Sequence, residues 1–394
     1  MKNYPLWKIF VVFILLSLGI IFAIPSLLYK EDTGSWYLDN RLNLGLDLQG
    51  GSYLLLEVQT DVLIKEEFEN FSDTVRIISR ENRVKINNID KQNDVLKVRF
   101  DSSEKLNTIR EEFLKNYRSV TFSITNNIAS ISIDEIYKKS IQDGAIKQSL
   151  EIVRKRIDES GTKEPLIQRS GRDRILLQLP GVKDPERIKD LLGKTAKLNF
   201  HMVDDDDTKS LSLNIAPFGR MIVSDISNEE IKYLLEKKSR VGGENLIDAY
   251  ASFDPTEGHA VSFRFDTTGA QKFGKATSEN IGKRFAVVLD GVVITAPVIN
   301  SAITGGSGII TGNFTSQEAT DLAVLLRAGA LPAPLEIVEE RSVGPGLGAD
   351  SIAAGKIASI IGMILVCIFM VLIYGSFGLI AIISLIANLF IIIA

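Results

Sequence analysis

Cysteine, histidine and tryptophan are almost missing from this chain: one, two and two residues among 394. The single cysteine, Cys367, excludes an intrachain disulfide. His201 and His259 are the only histidines, and no Cys/His cluster has zinc-ligand spacing. No excess of positive charge exists either. Forty-five Lys and Arg face 49 Asp and Glu, a net charge of −4, so no basic field points to nucleic acid. No G-x-S-x-G elbow and no H-E-x-x-H stretch occurs. No carboxylates stand in a recognisable acid/base pair. These absences argue against an enzyme with a covalent reaction, and no cofactor or metal site is expected.

Charge is missing altogether from three stretches, Ile9–Ile24, Ile357–Ile373 and Leu379–Ala394. With its flanks, the first reaches Tyr29, about 35 Å as a helix, enough to cross a bilayer. A cleaved signal would carry a shorter apolar region and an A-x-A-like site, and "FAIPSLLYKED" has none. Lys2 and Lys8 precede this run, whereas Lys30 is followed by Glu31 and Asp32. That bias places the N-terminus in the cytoplasm. "YGSFG" joins the second and third runs and reads as the turn of a helical hairpin. The last run stops without a polar cap, so the sequence reads as the front part of a longer chain. Residues 30–350 then lie outside the cytoplasm and have ordinary globular composition.

Between membrane and globule stands "LGLDLQGG", with Gly45, Asp47, Gly50 and Gly51. A phosphate loop would need Lys and Ser/Thr after its last glycine, and a dinucleotide fingerprint would open a helix. Here "SYLLLEV" follows, a strand pattern. The glycines are read as bends or close backbone contacts. The run Asp204–Asp207 lacks the spacing, Gly and closing Glu of an EF-hand and reads as a solvated loop.

The rest alternates strands and helices. A helix is predicted in "LIKEEFENFSDTVRIISREN" and strands in "VLKVRF" and "VTFSI". Ile146, Leu150, Val153 and Ile157 lie at helical spacing, with Gly161 as a stop. "PLIQRSGRDRILLQLPG" reads as two strands, and Asp184–Pro185 as an N-cap and first helical residue. "AKLNFHMV" reads as one more strand. Strand, helix, two strands, helix, strand is the ferredoxin-like order, with 60–145 as an insertion. Residues 245–330 form a second α/β unit. It holds a helix from near Thr267 and a hairpin turning at Asp290–Gly291. A further helix opens with the capping box Thr315/Glu318 and closes at Gly329. Pro332 and Pro334 make a stiff link back toward the membrane.

Several stretches, in order, carry a resemblance: "LGLDLQGG", "RIDESGTKEPLIQRSGRDRILLQLPGVKDPERIKDLLGKTAKLNF", "NIGKRFAVVLDGVVITAPVINSAITGG", "LLRAGALPAPLEI" and "VGPGLGADSIAAG". Together they closely resemble the SecD/SecF family of bacterial Sec accessory subunits, within the resistance-nodulation-division transporter superfamily. Residues 60–145 are the least characteristic part.

The resemblance implies an α+β protein of the inner membrane. Residues 1–29 would hold the first span. A periplasmic base would cover 30–197 and 333–350, an inserted head 198–332, and spans two and three would start a six-span bundle at 351–374 and 375–394. It implies late protein export with SecF, driven by the proton-motive force. Partners would be the SecYEG channel, SecA indirectly, YajC, unfolded preprotein and membrane lipid. Gly45, Asp47, Gly50 and Gly51 would form the family motif at the start of the base. Asp47 is read either as polar glue at the membrane junction or as a solvated turn acid. Pro332 and Pro334 are the candidate hinge. The family's important membrane Asp would fall beyond Ala394. A small-molecule exporter of the same superfamily is the alternative, and a membrane-anchored periplasmic enzyme is a third reading.

Overall fold

The structure is a computed structural model that describes residues 6–28, 46, 50–92, 94–162, 165–182, 184–217, 219–343 and 345–393. Helix α1 (Leu6–Leu28) is followed by β1 (Gly51–Val58), whose side chains alternate between deep and partial burial. The insertion comes next: α2 (Thr60–Glu81), β2 (Ile86–Gln92), β3 (Val95–Phe100), α3 (Leu106–Asn116), β4 (Val120–Thr125) and β5 (Ile128–Ile133). Ile64, Phe68, Phe71, Val75 and Ile78 recur at three- and four-residue steps, so one face of α2 is apolar. That face covers an antiparallel sheet of order β2-β3-β5-β4. Phe71, Val98, Ile109, Phe113 and Ile131 are fully buried there. Phe71 meets Phe113 and Tyr117 edge-on, at 5.6 and 4.7 Å between ring centres. The insertion therefore has a core of its own.

Helix α4 (Glu135–Glu159) leads to the hairpin β6 (Leu166–Ser170) and β7 (Arg174–Pro180). Then come α5 (Pro185–Gly193) and β8 (Leu198–Met202). The Asp184 carboxylate accepts from the Arg187 amide at 3.1 Å, and Pro185 opens the helix as the sequence predicts. One expectation fails here. Strand β8 does not close the first sheet; that sheet has the order β17-β1-β7-β6, and its last strand begins only at Leu335.

The remaining elements are α6 (Thr208–Leu213), β9 (Arg220–Ser224), β10 (Lys232–Glu236), β11 (Val241–Gly242), β12 (Leu246–Asp254), β13 (Gly258–Phe265), α7 (Thr267–Glu279), β14 (Phe285–Leu289), β15 (Val292–Thr295), β16 (Ser307–Phe314), α8 (Ser316–Ala328), β17 (Leu335–Val343), α9 (Pro345–Tyr374) and α10 (Ser376–Ile393). They build sheets of order β11-β8-β14-β15, β12-β13-β16 and β10-β9. Phe200, Phe263, Phe265, Phe273 and Phe285 pack with ring centres 5.2–6.1 Å apart, joining α7 to two of these sheets. Asp290 and Gly291 both have left-handed φ, 51° and 84°, as a tight type I′ hairpin requires. The full capping box forms at Thr315/Glu318. His201 is a core residue whose Nδ1 lies 2.9 Å from the Glu236 carbonyl. His259 stacks edge-on with Phe253.

The acidic run is more than a solvated loop. Asp204 accepts from Arg220 at 2.8 Å, Asp205 pairs with Arg284, and Asp207 caps α6. Hydrogen bonding from Arg284 holds the Asp205 carboxyl below its usual pKa.

The chain divides into two compact units. One comprises 1–52, 179–183 and 341–394, and the other 53–178 and 184–340. In the first, α9 runs unbroken into Tyr374 and α10 starts at Ser376, so the expected five-residue link shrinks to Gly375. Among the described residues, Ala353–Tyr374 is long and apolar enough to cross a membrane, and none of its most apolar window is covered by protein. Shorter apolar stretches are Phe13–Ile24 and Ser376–Ile392. Gly19 lets α1 approach Ile391 of α10 closely: a Cβ there would stand 3.1 Å from Ile391 Cγ1.

Candidate functional site

The Gly-rich stretch is described at Leu46, Gly50 and Gly51; Gly45 and Asp47 lie outside the described residues. Gly50 and Gly51 have φ of 72° and 134°. A Cβ on Gly51 would land 2.1 Å from the Leu179 carbonyl oxygen and 2.9 Å from Leu46 Cδ1. The Gly181 amide donates to the Gly50 carbonyl at 2.9 Å. Both glycines thus serve chain-to-chain contact at the foot of β1. The turn points a carbonyl oxygen where a phosphate cradle presents N–H groups.

Pro332 and Pro334 lie elsewhere, on the second of two chain crossings. The first, 193–197, carries the chain from α5 to β8. The second, 329–334, brings it from α8 to β17. The two lie side by side, and the Leu331 amide donates to the Thr195 carbonyl at 2.8 Å. Both prolines are half-buried, while Leu331 and Ala333 are fully buried. The Gln59 amide donates to the Pro334 carbonyl at 3.0 Å.

Two charged residues organise these crossings. Arg156, on α4, is completely buried. Its Nη1 donates to the carbonyls of Leu191 at 2.7 Å and Lys194 at 2.5 Å. Its Nη2 donates to Thr195 at 3.1 Å and Gly329 at 3.3 Å. Burial pulls the guanidinium pKa down to about 10, opposed by the Asp290 charge, so it stays protonated at neutral pH. Asp290, in the β14–β15 turn, accepts from the Ala196 amide at 2.9 Å, the Lys197 amide at 2.8 Å and the Thr195 hydroxyl. These bonds hold Ala196 at a left-handed φ of 62°.

Ion pairs brace α8 on either side. Arg187 of α5 reaches Asp321 at 2.7 Å, and Arg327 clasps Glu159 of α4 while donating to the Ala249 carbonyl at 3.2 Å. Sequence reasoning singled out neither Arg156 nor the anchoring role of Asp290. A signal existed for the first: Ser149, Ile152, Val153, Arg156 and Ile157 share the buried face of α4, so the arginine occupies an apolar register position. Among the described residues, no group of three or more His, Cys, Asp and Glu can hold a metal ion.

Three family models match the chain. They are the SecDF P1 head subdomain over 220–333, the N-terminal P1 domain of protein translocase subunit SecDF over 146–205, and the SecD/SecF GG motif over 39–62. Similar curated proteins carry the name protein translocase subunit SecD. That of Rickettsia conorii is 43% identical over 98% of this chain and 74% of its own length. Those of Rickettsia prowazekii and Magnetococcus marinus are 41% and 38% identical, with 76% and 77% of their lengths covered. A solved structure of SecDF in a super-membrane-facing form aligns with a TM-score of 0.49 and 26% identity, over 96% of this chain and 41% of that one. Another, of a membrane component SecDF that enhances protein export, aligns with a TM-score of 0.42 and 35% identity, over 50% and 93%.

Proposed function

The chain belongs to the SecD family of protein translocase subunits, and on that premise we propose that it assists protein export from the outer side of the bacterial inner membrane. It works with a SecF-type partner, late in translocation, and draws on the proton-motive force. The observation that carries this reading is the 43% identity to a protein translocase subunit SecD over 98% of the chain. The SecYEG channel, SecA acting from the other side, YajC and an unfolded preprotein are the partners this role requires.

The proposed topology places Lys2 and Lys8 in the cytoplasm, the α/β part in the periplasm and Gly375 back at the cytoplasmic face. Helix α1 has 23 residues, about 35 Å of rise, and α9 is apolar around its circumference, both in support. The sheet order β17-β1-β7-β6 supports a ferredoxin-like base, because numbering its strands along the chain gives 4-1-3-2. The sheets between β8 and β16 would be the head. Two adjacent crossings suit motion of head against base, with Pro332 and Pro334 beside the pivot.

The test is affinity purification of the protein from its native membrane. Recovery of SecF and SecY with it is expected. Recovery of an outer-membrane channel with no Sec component would favour the small-molecule exporter instead. Protease added to spheroplasts should cut within 53–340; full protection there would reverse the topology.

A further inference from the structure

We infer that Arg156 is a positioning residue that latches the two crossings into one pivot and so sets the resting orientation of the head; the inference rests on the export reading above. Its five N–H groups face no carboxylate directly. Its Nη1 and Nη2 meet four main-chain carbonyls: Leu191 in the last turn of α5, Lys194 and Thr195 on the outgoing crossing, and Gly329 on the returning crossing. Nε is buried and finds no partner, so the guanidinium is spread across the crossings rather than saturated. A buried cation is tolerated only while its acceptors stay in place, because losing even part of the set strands charge away from water. Displacement of either crossing is therefore resisted until the whole grip releases, which makes the pivot two-state rather than compliant.

Asp290 acts from the opposite side. It sits in a turn between two strands of the head and holds Thr195, Ala196 and Lys197 of the outgoing crossing. The crossing thus lies between a cation fixed to α4 and an anion fixed to β14–β15. The Leu331–Thr195 bond carries the returning crossing with it. Neither charge hydrogen-bonds the other; they act on each other through space and through the backbone they share.

The test uses the full chain in nanodiscs, with C367S removing the single native thiol. Spin labels go on E151C in α4 and K275C in α7, both exposed positions. The wild-type background should give one narrow distance distribution. R156Q should add a second population. It should also speed amide exchange at Ala196, Lys197 and Leu331 at least tenfold while leaving β3 and β5 unchanged. R156K keeps the charge but cannot span both crossings, and should behave like R156Q. Wild-type behaviour of R156K would show that charge alone suffices and would overturn the latch. Unchanged distances and exchange in R156Q, or exchange raised equally in β3 and β5, would also overturn it. Should R156Q fail to fold, D290N decides: the same amides must loosen and the same second population appear.

Export is measured in cells depleted of the resident subunit. Where the wild-type chain restores export, R156Q should slow it at least threefold. Loosened crossings with undiminished export would remove Arg156 from the mechanism. Failure of the wild-type protein at its full natural length to restore export would strike the export reading, and distances and exchange would still decide the latch.

Discussion

Replacing Gly51 with alanine should cost about 3 kcal/mol, and the parts of that figure come from the geometry at the foot of β1. The φ of 134° is a region that L side chains avoid, a strain of about 1–3 kcal/mol. The new Cβ would stand 2.1 Å from the Leu179 oxygen, roughly 1 Å or more inside van der Waals contact. A second backbone atom, the Gly181 nitrogen, stands at 3.0 Å, so although the Leu46 side chain at 2.9 Å can yield, the backbone side cannot. Separating the strands breaks the Gly181–Gly50 hydrogen bond, worth about 1 kcal/mol. At ~2–4 °C per kcal/mol for a domain of a few hundred residues, the melting midpoint should drop by about 6–12 °C. Circular dichroism of the purified chain in one detergent reads this directly. A midpoint within about 2 °C of wild type would refute the assignment of Gly51 to backbone contact and return the motif to a surface role.

Three further outcomes are expected. Gly144 is exposed inside α4 with nothing within 4 Å of its missing Cβ, so Gly144→Ala should stabilise by about 0.5–1 kcal/mol, read as a higher urea midpoint. Phe71→Ala should cost about 3–5 kcal/mol and abolish exchange protection across β2–β5 while sparing β14; equal loss in both would deny the insertion a separate core. Burial keeps His201 below its ordinary pKa, opposed by the Glu236 carbonyl, so the unfolded chain takes up a proton that the folded chain refuses. Stability should therefore be flat above about pH 6.5 and fall as the pH drops below it, and His201→Gln should remove that slope in urea midpoints measured at several pH values.

The parts legible in the sequence share one physical character: their determinants lie within a few residues. Asp184 with Pro185, Thr315 with Glu318, and Asp290 with Gly291 each carry a complete local instruction, and all three form. The partner of β8 was not legible, because its strand pattern suits either sheet. Its choice depends on Phe285–Leu289, which arrives over 80 residues later and pairs along its whole length. The closing strand β17 was hidden for the same reason, its pairing partner β1 lying far earlier in the chain. Arg156 was the deepest omission. Its acceptors lie 35 to 173 residues away, and main-chain carbonyls leave no trace in a sequence. Gly50 and Gly51 were legible as backbone contacts, though not the carbonyl they accommodate.

The pairing of Thr195 with Leu331 has a mechanical consequence. The segment between the crossings enters and leaves at one point, like a load on two parallel ropes, with α8 stayed against α4 and α5 by the Arg327–Glu159 and Arg187–Asp321 pairs. A pull on that segment divides between the ropes, and the bond joining them makes the two move together until it gives way. Force then reaches the chain at α5 and at β17 together, two elements far apart in sequence. The insertion, with its own core, touches that path at one edge, where Glu66 of α2 pairs with Lys197 at 2.7 Å. Tension generated by a moving polypeptide would thus be felt at two strictly defined anchor points, and slack in either one would show as a tilt rather than a retreat.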